Sequence, residues 1–139
     1  MAYRVSLEHK TPAFFERGRH VLVDASGAGQ GRYVMAAVCV VDGQVVQLFS
    51  SPCHAVSSVE AEKECIRWAL DVMPNALVWN DCIPAIEAVL KTKPELEGCL
   101  FWPSPKMRKP FHDLAHSLST LARELTQCRV WTLDELVEN

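Results

Sequence analysis

Apolar runs of strand length, divided by turn residues, dominate the part of the chain that follows residue 19. Residues 20–24 and 33–41 are rich in valine, and residues 44–50 form a third apolar run. Each run is typical of a β-strand. Asp42-Gly43 between the second and third runs is a hairpin signal, and GAGQG between the first two indicates a tight turn. The pattern predicts three consecutive antiparallel strands.

Further along the chain, segments whose apolar residues have helical spacing alternate with short apolar runs. Ser57 or Ser58 can cap a helix over residues 58–73, and Glu60 stands three residues after Ser57, as in a capping box. Four segments follow that predict strand, helix, strand and helix in turn: NALVWND, CIPAIEAVLKTK, GCLFW and FHDLAHSLSTLARELTQ. The last segment, RVWTLDELVEN, predicts a tail that forms a short strand or a turn.

The element order β-β-β-α-β-α-β-α predicts an α/β fold with a five-stranded mixed sheet flanked by helices. We assign residues 20–139 to this domain and residues 1–19 to an N-terminal arm. The 139 residues are 49% hydrophobic and 22% charged, which is typical of one globular domain.

Charge and cysteine content narrow the function classes. The net charge of -3 argues against a strongly basic nucleic-acid binder, but it leaves room for an enzyme that meets nucleic acid through a local patch and metal ions. Six cysteines without a C-x-x-C pair predict mostly buried free thiols in a reducing compartment. No apolar run reaches the roughly 20 residues of a membrane span, and the N-terminus lacks a signal-peptide pattern. We therefore expect a cytoplasmic protein.

Glu62 occupies an unexpected position on the first predicted helix. At 100° per residue, the apolar residues Cys65, Ile66, Ala69 and Met73 all fall within about 60° of it. That side of the helix should face the sheet, where a carboxylate is costly unless it is paired, protonated or bound to a metal. Two alternatives remain: the glutamate reaches solvent, or it partners a buried cation.

Two aspartates follow apolar runs that predict buried strands. Asp24 ends the first strand and Asp81 ends LVWND. Each alone is commonly a turn or cap residue. Neighbouring strand ends could, however, bring both beside Glu62, and three carboxylates in one site need a cation. Oxygen ligands suit Mg²⁺ or Mn²⁺, and a pair of such ions serves phosphodiester hydrolysis.

This order of acidic residues resembles the ribonuclease H family. The segments VDASGAGQG, AEKECIRWAL, VWNDCIPAIEAV and FWPSPKMRKPFHDLAHSLSTLA are similar to its motifs in the same order, and the topology agrees from residue 20 to about residue 124. The resemblance implies a ribonuclease H-like nuclease in which Asp24, Glu62 and Asp81 bind Mg²⁺ or Mn²⁺.

The final helix departs from the family pattern. The family has a fourth acidic residue near the start of that helix, whereas AHSL places His116 there. Related nucleases of this fold use a histidine at this position, which implies His116 as the fourth catalytic residue. Asp113, one turn earlier, and His112 are alternatives. A helical wheel also puts His112, His116 and Arg123 on a polar face, which favours an ordinary solvated surface.

The resemblance also implies contacts to nucleic acid. Gln30 in the glycine turn and Ser57 and Ser58 before the first helix match positions that line the minor groove of a hybrid. They could contact sugar or phosphate oxygens, including the 2′-OH of RNA. Lys106 and Lys109 in PSPKMRKP could contact a phosphate. Capping alone would explain Ser57 or Ser58, and basic loop residues are commonly only solvated.

The expected function is a metal-dependent endonuclease that hydrolyses the RNA strand of RNA/DNA hybrids. One alternative is a non-catalytic ribonuclease-H-like module that binds nucleic acid or assembles with a partner. Another is a DNA-directed nuclease of the same fold, of the resolvase or transposase type. The acidic charge and the histidine in the fourth position favour the first alternative.

Overall fold

The computed structural model of the protein describes residues 11–137. Residues 1–10 of the predicted N-terminal arm, and residues 138–139, lie outside the described part. Nine helices and strands are described, in this order: β1 Arg19–Gly29, β2 Arg32–Val41, β3 Gln44–His54, α1 Ser58–Val72, β4 Leu77–Trp79, α2 Ile83–Thr92, β5 Leu100–Phe101, α3 Phe111–Leu121 and β6 Arg129–Trp131. Short 3₁₀ turns at Ala13–Phe15, Pro94–Leu96, Pro105–Met107 and Leu133–Glu135 join them.

One mixed sheet organises the domain, in the strand order β5-β4-β1-β2-β3-β6. β1, β2 and β3 pair antiparallel, whereas β4 pairs parallel to β1 and β5 parallel to β4. The α/β class and the predicted element order β-β-β-α-β-α-β-α are confirmed. The expected count of five strands is wrong by one, because β6 in the predicted tail pairs antiparallel with β3. The Trp131 indole donates to Ser50 Oγ at 2.8 Å and fixes this added edge strand.

The first two strands are longer than the sequence predicts, and this changes the position of Asp24. β1 continues to Gly29, so Asp24 lies in the middle of the strand and pairs with Ala36 of β2. The turn itself is the pair Gln30-Gly31, with φ of 56° and 74°. Two positive φ values define a type I′ turn, which glycine adopts without strain and which suits the twist of a hairpin.

Side chains alternate between the two faces of the sheet along each strand, and both faces carry buried side chains. On one face, Leu22, Val34 and Val38 pack against Leu114 and Leu118 of α3. On the other, Val21, Val23, Ala37 and Cys39 lie in one cluster with residues of α1 and α2. Because successive side chains of a strand point to opposite faces, Asp24 belongs to the face that α3 covers.

The cysteines follow this layering only in part. All six are free thiols, but only Cys39 and Cys65 are buried. Cys99 and Cys128 are exposed, so the prediction of mostly buried thiols is wrong. No helix among residues 11–137 is long and apolar enough to cross a membrane.

An aromatic cluster closes the end of β1 where the chain enters the domain. Phe15 is fully buried, and its ring meets those of His20, Trp79 and Phe111 edge to face at 5.0–5.6 Å. The Trp79 indole donates to His20 Nδ1 at 3.1 Å, so the other ring nitrogen carries the proton and donates to the Arg17 carbonyl at 2.8 Å. His20 is therefore a neutral, structural histidine.

The Phe15 contact predicts a stability difference between two adjacent phenylalanines. Phe15→Ala should lower the free energy of unfolding by about 3–5 kcal/mol, because it opens a cavity in the aromatic cluster. Phe14 is 66% exposed, and Phe14→Ala should cost less than about 1 kcal/mol. Chemical denaturation of both variants measures the difference. Equal losses would show that the cluster does not support the core.

Candidate metal centre

Asp24 reaches the centre from the middle of β1, where pairing with Ala36 of β2 holds its backbone. β1 is flanked by β2 on one side and by β4 on the other, in the register Leu22↔Trp79. β4 ends at Trp79, so the chain that continues to Asp81 leaves the sheet beside Asp24. The Asp24 side chain is 4% exposed, and its backbone carbonyl accepts from the Cys65 thiol at 3.2 Å.

Glu62 comes from the first turns of α1, on the helix face that packs on the sheet. Ser57 caps this helix, since its hydroxyl accepts from the Glu60 amide at 3.2 Å. Ala61, Cys65 and Ile66 are buried beside Glu62, which is 9% exposed. The helical wheel of the sequence therefore places this carboxylate correctly, and Glu62 does not reach solvent.

Asn80 holds Glu62 in place and was missed at the sequence level. Its side-chain amide donates to Glu62 Oε1 at 3.3 Å and to the Val23 carbonyl at 3.2 Å, while its own oxygen accepts from the Cys82 amide at 2.8 Å. Asn80 is fully buried. The available signal was a polar residue directly after an apolar strand and next to Asp81.

The three carboxylates converge. Asp24, Glu62 and Asp81 each offer an oxygen within 4.8 Å of the other two. Burial, and next the negative charge of Asp24, raise the pKa of Glu62 to about 9. Such a group is protonated at neutral pH unless a cation replaces the proton. The residues therefore fit a divalent metal ion with oxygen ligands.

Two histidines of α3 contact the aspartates. His116 Nδ1 lies 3.0 Å from Asp24 Oδ2, and this hydrogen bond raises the pKa of the histidine. His112 Nε2 lies 3.3 Å from Asp81 Oδ2, and this hydrogen bond lowers the pKa of the aspartate. Because the two histidines are four residues apart, they lie on one side of the helix, one turn apart.

The predicted solvated face of α3 is only partly correct. The His116 side chain is 68% exposed, and Arg123 is exposed too. His112, in contrast, is 3% exposed, because the first turn of α3 packs beside the loop that carries Asp81. Its Nδ1 atom is buried without a hydrogen-bond partner among residues 11–137. Asp113 is half-buried and lies outside the three-carboxylate cluster.

The residues predicted to contact nucleic acid surround the centre at different distances. Ser58 begins α1, one turn before Glu62, whereas the Ser57 hydroxyl is engaged in the helix cap. Gln30 is exposed in the hairpin turn, six residues beyond Asp24, which corresponds to roughly 17–20 Å of extended strand.

Lys106 and Lys109 are both exposed in the segment between β5 and α3. The centre does not include them, and α3 links this segment to it, since the helix starts at Phe111 and carries both histidines. Their contact with a phosphate stays a prediction.

Comparison with known proteins establishes neither a family nor a function for the chain. No known protein family matches the chain, and no curated protein is significantly similar in sequence. A foamy viral protease-reverse transcriptase solved with dsDNA is 16% identical over 84% of this chain and 83% of that chain, with a TM-score of 0.40. The foamy viral protease-reverse transcriptase solved with an RNA/DNA hybrid is 15% identical over 86% of this chain but only 18% of that chain, with a TM-score of 0.42. TM-scores this low establish no function for this chain.

The raised pKa of Glu62 predicts how stability depends on pH without metal. Unfolded glutamate ionises above pH 4.5, whereas folded Glu62 keeps its proton to about pH 9. Folding therefore takes up a proton in this window, and stability falls as the pH rises through it. Glu62→Gln removes this loss. In EDTA the variant should match the wild type near pH 4 and exceed it by roughly 1–3 kcal/mol at pH 8.

Thermal unfolding at the two pH values measures this effect. Glu64→Gln, on the exposed side of the same helix, is the matched control and should show no such pH dependence. Mg²⁺ should stabilise the wild type more than Glu62→Gln. A variant that is less stable than the wild type at pH 8 in EDTA would contradict the burial argument.

Proposed function

We propose that the chain is a metal-dependent endonuclease that hydrolyses the RNA strand of RNA/DNA hybrids. The observation that carries the proposal is the convergence of Asp24, Glu62 and Asp81 within 4.8 Å in a ribonuclease H-like sheet. Three neighbouring carboxylates, two of them buried, destabilise one another and therefore do not favour a purely structural role. A bound cation would compensate the repulsion between the carboxylates, which favours a metal-dependent activity.

The three carboxylates would hold Mg²⁺ or Mn²⁺. Bound divalent ions lower the pKa of water and stabilise charge on an attacked phosphate. The surrounding residues keep the ligands oriented: Asn80 donates to Glu62, and His112 contacts Asp81. Outer contacts of this kind fix a ligand before the ion arrives and tune its basicity.

His116 is the residue best placed to exchange a proton at the open side of the centre. Its Nδ1 atom is hydrogen-bonded to Asp24. Its Nε2 atom is left to exchange a proton, since the side chain is 68% exposed. A histidine titrates near neutral pH and can give a proton to a leaving oxygen. We assign it the fourth catalytic position, in place of the acidic residue of the resembled family.

Recognition of the hybrid would use hydroxyl, amide and ammonium groups around the centre. Ser58 and Ser57 at the start of α1, and Gln30 in the hairpin turn, would contact sugar and phosphate oxygens, including the 2′-OH that distinguishes RNA. Lys106 and Lys109 would contact phosphates. None of these contacts requires a basic protein, which agrees with the net charge of -3.

A nuclease assay with matched variants tests the proposal. With Mg²⁺, the wild type should cut the RNA strand of a labelled hybrid. The cleavage rate of Asp24→Asn should be more than about 100-fold lower, because loss of even an outer contact to a metal ligand costs about 10–100-fold in activity or metal affinity. Asp71→Asn is the control, because Asp71 is an exposed aspartate of α1. Equal activity of wild type and Asp24→Asn would overturn the proposal.

The substrate panel separates the alternatives. It should contain the hybrid, double-stranded RNA, duplex DNA and a four-way DNA junction. Cleavage of DNA alone would assign a DNA-directed nuclease. Binding of Mn²⁺ and hybrid without any cleavage would assign a non-catalytic module.

The catalytic role proposed for His116 leads to a separate prediction. His116→Ala should lower the cleavage rate by about 10²-fold or more, as for loss of a general acid–base group, and should flatten the rate profile near neutral pH. His116→Asp should recover part of the rate with a profile shifted to lower pH, because a carboxyl titrates lower than an imidazole. Melting curves check that the variants are folded. An unchanged pH profile in His116→Ala would remove His116 from the reaction.

A further inference from the structure

A polar cavity lies beyond the metal centre, at the far ends of α3 and β1. It is lined by Gly27, Ala28, Arg32, Arg123 and Glu124 and measures about 530 Å³. Gly27 and Ala28 belong to the last part of β1, and Arg32 begins β2. Arg123 and Glu124 follow the end of α3. Two arginines from separate elements therefore face one opening.

Neither arginine forms an ion pair within the described part of the chain. Among residues 11–137, the lysine and arginine ion pairs are Lys63–Glu60, Arg67–Glu64 and Arg129–Glu135, and none of them includes a residue of this cavity. Glu124 offsets one of the two charges of the arginines, so the cavity keeps an excess of one positive charge. A guanidinium donates in a fixed fork that matches the oxygens of a phosphate.

The cavity aligns with the metal centre along two independent elements. Arg123 comes seven residues after His116, just beyond the last residue of α3, which corresponds to roughly 10 Å along the direction of the helix. Gly27 comes three residues after Asp24, which is again roughly 10 Å along a strand. With a rise of about 3.4 Å per nucleotide, this separation equals about three nucleotides.

Hydroxyl groups occupy the space between the two ends. Ser26 Oγ bonds Ser119 Oγ at 2.7 Å and lies 3.4 Å from Thr120 Oγ1. Thr120 also donates to the His116 carbonyl at 3.0 Å. His116 and Thr120, four residues apart on one side of α3, form a polar stripe that leads towards Arg123 beyond the end of the helix. This stripe has no acidic side chain of its own.

We propose that Arg32 and Arg123 form a phosphate subsite that grips a nucleic-acid strand about three nucleotides from the bond placed at Asp24, Glu62 and Asp81. The inference rests on the proposed function for the position of that bond, and it adds a specific backbone contact to it. The strand follows the stripe of α3, and its phosphate enters the cavity where Gly27 presents no side chain.

Hybrid binding measured by fluorescence anisotropy at several salt concentrations tests the subsite. All variants carry Asp24→Asn, which keeps the hybrid intact. Arg123→Gln and Arg32→Gln should each weaken binding about three- to tenfold and lower the salt slope by about one. Arg17→Gln is the control, since Arg17 is exposed and precedes β1, at the opposite end of the strand from the cavity. Arg123 is exposed beyond the end of α3, so Arg123→Gln should fold normally. It therefore tests the subsite even where Arg32→Gln fails to fold.

Single uncharged methylphosphonate linkages locate the contact. One linkage, about three nucleotides from the position of cleavage, should weaken binding of the protein with Arg123 but not of Arg123→Gln. Unchanged binding of both arginine variants, or an equal loss in Arg17→Gln, would overturn the subsite. If the chain cuts no nucleic acid but shows the same arginine dependence, the subsite stands and the nuclease proposal fails. If the chain cuts the hybrid and both arginine variants bind it normally, the nuclease proposal stands and the subsite fails.

Discussion

Mutual repulsion of three carboxylates is the constraint on which the centre depends. Asp24, Glu62 and Asp81 bring oxygens within 4.8 Å of one another, and Asp24 and Glu62 are largely removed from water. Without a cation the structure limits the cost in two ways. Glu62 retains a proton, and His112 and His116 each contact one of the aspartates. A metal ion would replace that proton, so metal affinity, pH and stability are coupled through one group.

The fold supplies the rigidity that such a cluster needs. Asp24 sits in the middle of β1, paired with β2, and Asp81 lies in the three-residue connection from β4 to α2. Glu62 is held by a capped helix and by Asn80, whose amide also bonds the Val23 carbonyl. The Asp24 backbone is therefore held by strand pairing, Glu62 by a buried hydrogen bond, and Asp81 contacts His112.

The sequence predicted the carboxylates better than their neighbours, for a physical reason. Glu62 was visible because a charge in an apolar stripe contradicts helical periodicity, and the strand order placed Asp24 and Asp81 near it. Asn80 and His112 contradict no pattern, since each is an ordinary polar residue at an element boundary. Their burial follows from tertiary packing of α3 and β4, which periodicity does not describe. β6 was uncertain for a similar reason, because three residues carry too little pattern to define a strand.

The proposed binding of nucleic acid by an acidic chain would require its cationic side chains to lie close together. The net charge of -3 disfavours attraction by the whole surface, so the proposed affinity would come from local groups and from metal bound at the carboxylates. The candidates lie on two sides of the centre: Arg32 and Arg123 beyond the end of α3, and Lys106 and Lys109 before its start. α3 thus spans both groups and carries His116 between them. A strand that lies along this helix would place its phosphates against both ends and its reacting phosphate near the middle, so that α3 would set the register of the proposed substrate.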